Sequence, residues 1–285
     1  MSRIILKSLI LITLLLALIG CTMSPEHKTE KTIRKLKMTA IDVDGGEFTH
    51  KAFTTSALAE RYRSQEKYSI KELRIYFEGD GQPYVKKGMP SVNPSSKSML
   101  ALKLMSQDPE PSIYLGRPCY GFKQLPEQCT PRLWTTARYS EKIISSLNFG
   151  LNRIKDKFNI DNFIFIGHSG GGSIATLLAA RRTDVAALIT IAANLDHKTW
   201  TEHFDYPNLE ESLNAIDVMP LTATPFRWHL IGVNDRHVPA FLTKNALEID
   251  QGSHLSLYKY HRHQCCWTKI WPDILKELKQ KPNFP

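Results

Sequence analysis

The sequence predicts an α/β fold, with one mostly parallel, doubly wound sheet opened by an antiparallel hairpin. Three observations predict it. From about residue 36 onward, strand-like apolar runs and stretches of helical period alternate. Near the start, Asp44-Gly45-Gly46 separates two alternating segments, which is a hairpin signal. The chain has 285 residues, 42% of them hydrophobic and 23% charged, which suits a single α/β domain around its own core.

A leader precedes the fold. Arg3 and Lys7 form a short positive region, and an apolar run follows over Leu9–Ile19. The run is too short to span a bilayer comfortably and reads as the core of a signal peptide. It ends in Leu18-Ile19-Gly20-Cys21, which resembles the bacterial lipobox, although Ile19 is larger than the residue usual there. In a lipobox the Cys is lipidated and becomes the new N-terminus. Residues 1–20 are therefore expected to be a lipoprotein signal peptide, with Cys21 carrying a membrane anchor. An uncleaved anchor, or a plain secretory signal with an incidental Cys, are the alternatives. Thr22 rather than Asp after Cys21 favours, by resemblance to enterobacterial sorting, the outer membrane of a bacterial envelope, facing the periplasm. Residues 21–35 are polar and read as a tether, leaving 36–285 as the folded domain.

Within that domain, Leu36–Val43 alternates apolar and polar, and the turn leads into a second strand near Phe48–Phe53. Leu73–Phe77 and Ile113–Leu115 are compact strands, with helical spacing over Ser96–Met105 between them. Tyr139–Phe158 is a long amphipathic helix. A buried strand, Asn162–Ile166, runs into Gly167, and a helix is expected over Ser173–Arg182. Strands follow at Ala186–Ile191, Arg227–Val233 and Leu255–Tyr260, with helices at Pro239–Ile249 and Trp267–Leu278. The insertion between the strands at 186–191 and 227–233 carries Trp200, Phe204, Tyr206, Leu209 and Leu213. It reads equally as a short cap over a site or as ordinary helix packing.

The chemistry centres on Gly167-His168-Ser169-Gly170-Gly171, a G-x-S-x-G pattern. The bare pattern is weak. Here an apolar strand runs straight in and a helix straight out, which is the context of a nucleophile elbow, with Ser169 as nucleophile. No Lys-Ser or Lys-Thr pair follows, so a phosphate-gripping loop is disfavoured. The helix start favours developing negative charge, and the backbone N–H of Gly170 is a candidate oxyanion donor. A second donor is expected from the loop after the third strand, at the N–H of Asp80 in Glu78-Gly79-Asp80-Gly81, with the Asp80 carboxylate pointing away. A serine needs a base, and the base an orienting acid. Asp235 follows the strand at 227–233 and is the candidate acid, with Asp196 and Asp217 as rivals. His261 and His263 both lie after the last strand. His263 falls further into the loop and is preferred as base.

Composition narrows the remaining possibilities. Losing residues 1–20 removes two cations and no anion, so the net charge falls from +9 to +7. The basic residues are scattered, and no nucleic-acid-binding module is visible. No metal cluster is visible, no cofactor is expected, and a monomer is expected. With Cys21 lipidated, Cys119, Cys129, Cys265 and Cys266 remain, and three pairings are possible. Cys119–Cys129 closes a short Pro-flanked loop and is preferred, worth about 3 kcal/mol in a chain-entropy model. Cys265 and Cys266 then form a vicinal bridge or stay reduced.

Taken together, Phe77-Glu78-Gly79-Asp80-Gly81, Leu115-Gly116-Arg117-Pro118-Cys119, Gly167–Gly172, Asn194-Leu195-Asp196, Ser212-Leu213-Asn214 and His263-Gln264-Cys265-Cys266-Trp267 resemble a group of envelope and secreted α/β hydrolases of Gram-negative bacteria, known mainly as lipoproteins. The resemblance spans nearly the whole domain in the same order. It implies the α/β-hydrolase fold and favours His263 over His261, because the histidine there stands two residues before Cys-Cys-Trp. The stretch Gln82–Lys87 departs from that group's pattern. The expected reaction is acyl transfer to water by a serine carboxylesterase acting on short-chain rather than bulk lipid esters. Thioesterase or peptidase chemistry on the same triad is an alternative, as is a non-catalytic envelope protein that keeps the fold for binding.

Overall fold

The computed structural model describes residues 25–64, 66, 69–122, 124–224, 226–281 and 284. Residues 1–24, which include the expected signal peptide and Cys21, lie outside the described residues. Residues 25–35, expected to be a polar tether, form a helix, α1 (Pro25–Lys35), and Ile33 within it and Leu36 just after it pack against the domain. Ile33 is the apolar side chain that a polar reading of residues 21–35 passed over.

A hairpin opens the domain. β1 (Met38–Asp44) pairs antiparallel with β2 (Thr49–Thr55), and Gly46 supplies the positive φ of the turn at 78°. A short helix that the sequence reading missed follows, α2 (Ser56–Arg63), capped by the Thr55 hydroxyl. Next come β3 (Glu72–Phe77), a small hairpin of β4 (Tyr84–Lys86) and β5 (Met89–Pro90), α3 (Leu100–Met105) and β6 (Ser112–Leu115). The second half is regular: α4 (Glu141–Phe158), β7 (Asn162–His168), α5 (Gly170–Ala179), β8 (Val185–Ile191) and α6 (His197–His203). β9 (Phe226–Gly232), α7 (Ala240–Leu247), β10 (His254–Tyr258) and α8 (Trp267–Leu278) complete it. α5 begins at Gly170, three residues before the expected Ser173. The glycines form its first turn instead of a loop, which lets the helix press against neighbouring backbone.

Eight strands form one sheet in the order β1-β2-β6-β3-β7-β8-β9-β10. Only the pairs β1/β2 and β2/β6 are antiparallel. Alternation along the strands builds a core on both faces. Leu73, Ile75, Phe77, Phe163 and Phe165 face α2, α4, α5 and α7, whereas Tyr76, Ile164 and Ile166 face α3 and α8. Each fully buried Leu, Ile or Phe contributes about 1.5–3 kcal/mol relative to exposure, which is why these helical stripes and strands find each other. Cys119 and Cys129 are bridged, and so are the neighbours Cys265 and Cys266.

The topology also places the site. Phe77 on β3 pairs with Gly167 on β7, so Glu78–Gly81 and His168–Ser169 emerge side by side at the carboxyl ends of the sheet. From there the chain runs from β3 towards β6 and from β7 towards β8, in opposite directions. That divergence opens the crevice in which ligands bind to sheets of this kind.

Candidate active site

Ser169 occupies the junction of β7 and α5 with φ 54° and ψ −126°, a backbone conformation that costs an L-residue energy. Its surroundings hold it there. The Ser169 N–H donates to Ile191 O at 2.9 Å, and its carbonyl accepts from Gly172 N–H at 2.9 Å. The glycines at the turn are sterically required. A Cβ on Gly167 would overlap the Gly171 carbonyl, and one on Gly170 would overlap Asp80 Oδ1 and the Tyr139 hydroxyl.

The two candidate partners meet this serine. His263 Nε2 lies 2.9 Å from Ser169 Oγ, and His263 Nδ1 lies 2.8 Å from Asp235 Oδ2. The other Asp235 oxygen accepts from the backbone N–H of His237 at 2.8 Å and of Val238 at 3.0 Å. These two bonds fix the carboxylate, so that it can accept Nδ1–H and leave Nε2 free to take a proton from the serine. The rivals are elsewhere. Asp196 caps α6 by accepting from the backbone of Lys198 and Thr199, and Asp217 pairs with Lys198 at 2.8 Å. The His261 ring packs 4.7 Å from Trp267, centroid to centroid.

His263 is lowered from the ordinary histidine value, chiefly by burial; the hydrogen bond to Asp235 opposes this only in part. A base must be neutral to work, so activity rises as pH climbs through its pKa. With that value lowered, the acid limb of kcat/KM is expected below about 6.5, the ordinary histidine value. A pH profile on a soluble ester measures it, and a limb at or above that value contradicts the expectation.

The loop after β3 packs against Ser169. A Cβ on Gly79 would come within 3.1 Å of Ser169 Cβ. The Asp80 backbone is pinned by its carbonyl, which accepts from the Tyr120 hydroxyl at 2.9 Å. The Gly170 N–H lies in the first turn of α5, where a helix's own ladder uses no N–H. The Asp80 carboxylate was expected to point away from this region. Instead it lies against Gly170 and is paired there. Oδ1 accepts from Arg117 at 2.6 Å, and Oδ2 from Arg138 at 2.9 Å and from Tyr139 at 2.7 Å. Burial would raise this carboxyl, but Arg138, Arg117 and the Tyr139 hydroxyl outweigh it and hold the group well below the usual carboxylate range. Sequence reasoning missed Arg138 and Tyr139. A buried Asp demands a cation, and Arg117 in Gly-Arg-Pro was the available signal.

A cleft of about 500 Å³ opens over Ser169 and His263. Trp200, Tyr206 and Leu209 from the insertion form one wall, and His237 and Gln264 belong to the same lining. The Trp200 indole N–H donates to His237 O at 2.6 Å, which ties that wall to the loop of Asp235. Leu213 packs against the core instead. Among the described residues, no group of three or more His, Cys, Asp or Glu is placed to hold a metal ion.

Comparison with known proteins bears on the architecture. A family model described as alpha/beta hydrolase fold matches residues 129–213, the segment that contains the elbow. The structure is similar to that of the esterase Pf2001 of Pyrococcus furiosus, with a TM-score of 0.58, 13% identity, and 87% of this chain and 95% of that one covered. The fold is that of the α/β hydrolases. Est1E of Butyrivibrio proteoclasticus, solved with ferulic acid bound, shares this fold at a TM-score of 0.59 and 12% identity, over 85% of this chain and 100% of that one. A bacterial membrane phospholipase A shares it at a TM-score of 0.54 and 12% identity, over 98% and 97%. No curated protein matches the chain. In an α/β-hydrolase fold, a serine between a sheet strand and a helix, followed in the chain by an acid and then a histidine, is the expected nucleophile arrangement.

Proposed function

We propose that the protein is a serine hydrolase that cleaves carboxylic esters. The observation carrying this reading is the unbroken chain Asp235–His263–Ser169, with 2.8 and 2.9 Å links, at the floor of an open cleft. In the proposed reaction His263 Nε2 takes the Ser169 hydroxyl proton as Oγ attacks the carbonyl carbon. The resulting oxyanion is stabilised by the N–H groups of Gly170 and Asp80. The C–O bond to the leaving alcohol then breaks, and His263 returns the proton to that alcohol. Water, deprotonated by the same imidazole, releases the acid and restores Ser169. The cleft volume and the aromatic wall favour short to medium acyl groups. The esterase and the ferulate-binding protein among its structural neighbours support ester over peptide substrates.

A fluorophosphonate probe and a panel of p-nitrophenyl esters test the reading together. Wild type is expected to label and to turn over the shorter esters, whereas Ser169→Ala does neither. Equal labelling of both proteins, or none of wild type, would sink it.

A further inference from the structure

His168 precedes Ser169 yet stands outside the proton path. Its side chain is 3% exposed, and its Nε2 lies 2.8 Å from the carbonyl oxygen of His263. A carbonyl only accepts, so Nε2 carries a proton and donates it. Nδ1 is buried without a hydrogen-bond partner and faces Glu78 Oε1 at 3.6 Å, beyond hydrogen-bond distance. Glu78 is also buried, with a side chain 4% exposed. Its Oε1 accepts from Gly79 N–H at 3.3 Å and its Oε2 from Ala101 N–H at 3.1 Å. One carboxylate therefore joins the loop after β3 to α3, and through His168 it reaches the loop of His263.

Burying a carboxylate beside an imidazole is costly, and an apolar pair of the same volume would hold a core more cheaply. What an apolar pair would not supply is a donor to His263. That residue lies between β10 and α8, in neither helix nor strand. Its bond to Asp235 fixes one edge of the ring; behind it, the carbonyls of His261 and Arg262 accept from Asn234 N–H and the Trp267 indole, and that of His263 itself is the one His168 reaches. The His168 and His263 rings sit 5.0 Å apart between centroids, so the carbonyl bond acts right beside the base.

We propose that Glu78 and His168 are positioning residues. His168 holds the His263 backbone so that Nε2 faces Ser169, and Glu78, bonded to the N–H groups of Gly79 and Ala101, fixes the loop against which the His168 ring packs. This rests on reading Ser169, His263 and Asp235 as the catalytic triad. A displacement of the base by about 1 Å is enough to lower turnover by about 10²-fold. His168→Leu is therefore expected to lower kcat by about 10- to 100-fold with KM within about two-fold. His168→Gln keeps an N–H that can reach the same carbonyl, and should recover most of that loss. Glu78→Leu should give the same kcat-only pattern. All are measured on a soluble p-nitrophenyl ester with the full chain. Wild-type kcat in His168→Leu, no recovery in His168→Gln, or a loss confined to KM overturns the proposal, and wild-type kcat in Glu78→Leu removes Glu78 from it. Should His168→Leu fail to fold, nitrogen NMR of the wild-type histidines decides: Nε2 of His168 protonated is expected, and Nε2 unprotonated overturns the bond. A wild type with neither turnover nor probe labelling would instead defeat the triad reading, and the NMR result would still stand on its own.

Discussion

Replacing His263 by Ala is expected to lower kcat for a soluble ester by about 10⁴-fold or more, and Ser169→Ala should do the same. The double variant should lose no more than either single one, because a nucleophile without its base and a base without its nucleophile are equally idle. Residual turnover would come from the oxyanion donors and binding alone. The neighbouring histidine supplies the contrast. The His261 ring packs against Trp267 and Tyr258, so His261→Ala is expected to cost stability while each folded molecule keeps its turnover. Initial rates with active-site titration separate the two cases. Losses that add in the double variant, or a His263→Ala protein within tenfold of wild type, would show that the two side chains do not act as one unit.

The second large effect concerns stability. Arg117 and Arg138 have side chains 2% and 5% exposed, and they share the Asp80 carboxylate. Asp80→Ala strands both guanidinium groups in the interior. Breaking a buried pair from one side costs about 3–5 kcal/mol, and denaturant unfolding of the two proteins would measure it. The pH dependence has a definite sign. A carboxyl held below its unfolded value stabilises the fold fully above that value, near 3.9 for an unperturbed Asp, and loses this as pH falls towards the folded value. The gap between wild type and Asp80→Ala should therefore be widest near neutrality and narrow under acid conditions. A gap below about 1 kcal/mol at neutral pH, the worth of an ordinary surface pair, would mean that water reaches the arginines after all.

These two expectations differ in how far the sequence alone could have led to them. Strands such as Asn162–His168 and Val185–Ile191 are continuous apolar runs, and α4 shows a clear helical stripe, so local pattern was enough to find them. α2 buries only Leu58 and Ala59, and the β4/β5 hairpin is almost wholly exposed, which leaves too little pattern to read. The order Ser169, Asp235, His263 could be read because each follows a strand, and strand ends share one edge of a parallel sheet. The groups around Asp80 were harder to find. Arg138 and Tyr139 sit 58 and 59 residues away, just ahead of α4, which begins at Glu141 rather than at the expected Tyr139. Glu78 and His168 were visible as letters within motifs, but the bond to the His263 carbonyl is a product of packing that no spacing encodes.

The order of these residues along the chain also governs when the protein becomes competent. Ser169 and His263 are 94 positions apart, and β8, β9 and β10 must dock between them before the imidazole can face the hydroxyl. Closing so long a segment depends on non-local pairing, which forms slowly, so it is expected to come late in folding. A partly folded chain can therefore hold a complete elbow and still be inert. Recovered turnover during refolding would report completion of the last strand and its loop, after the spectroscopic signals of helix and sheet have largely returned.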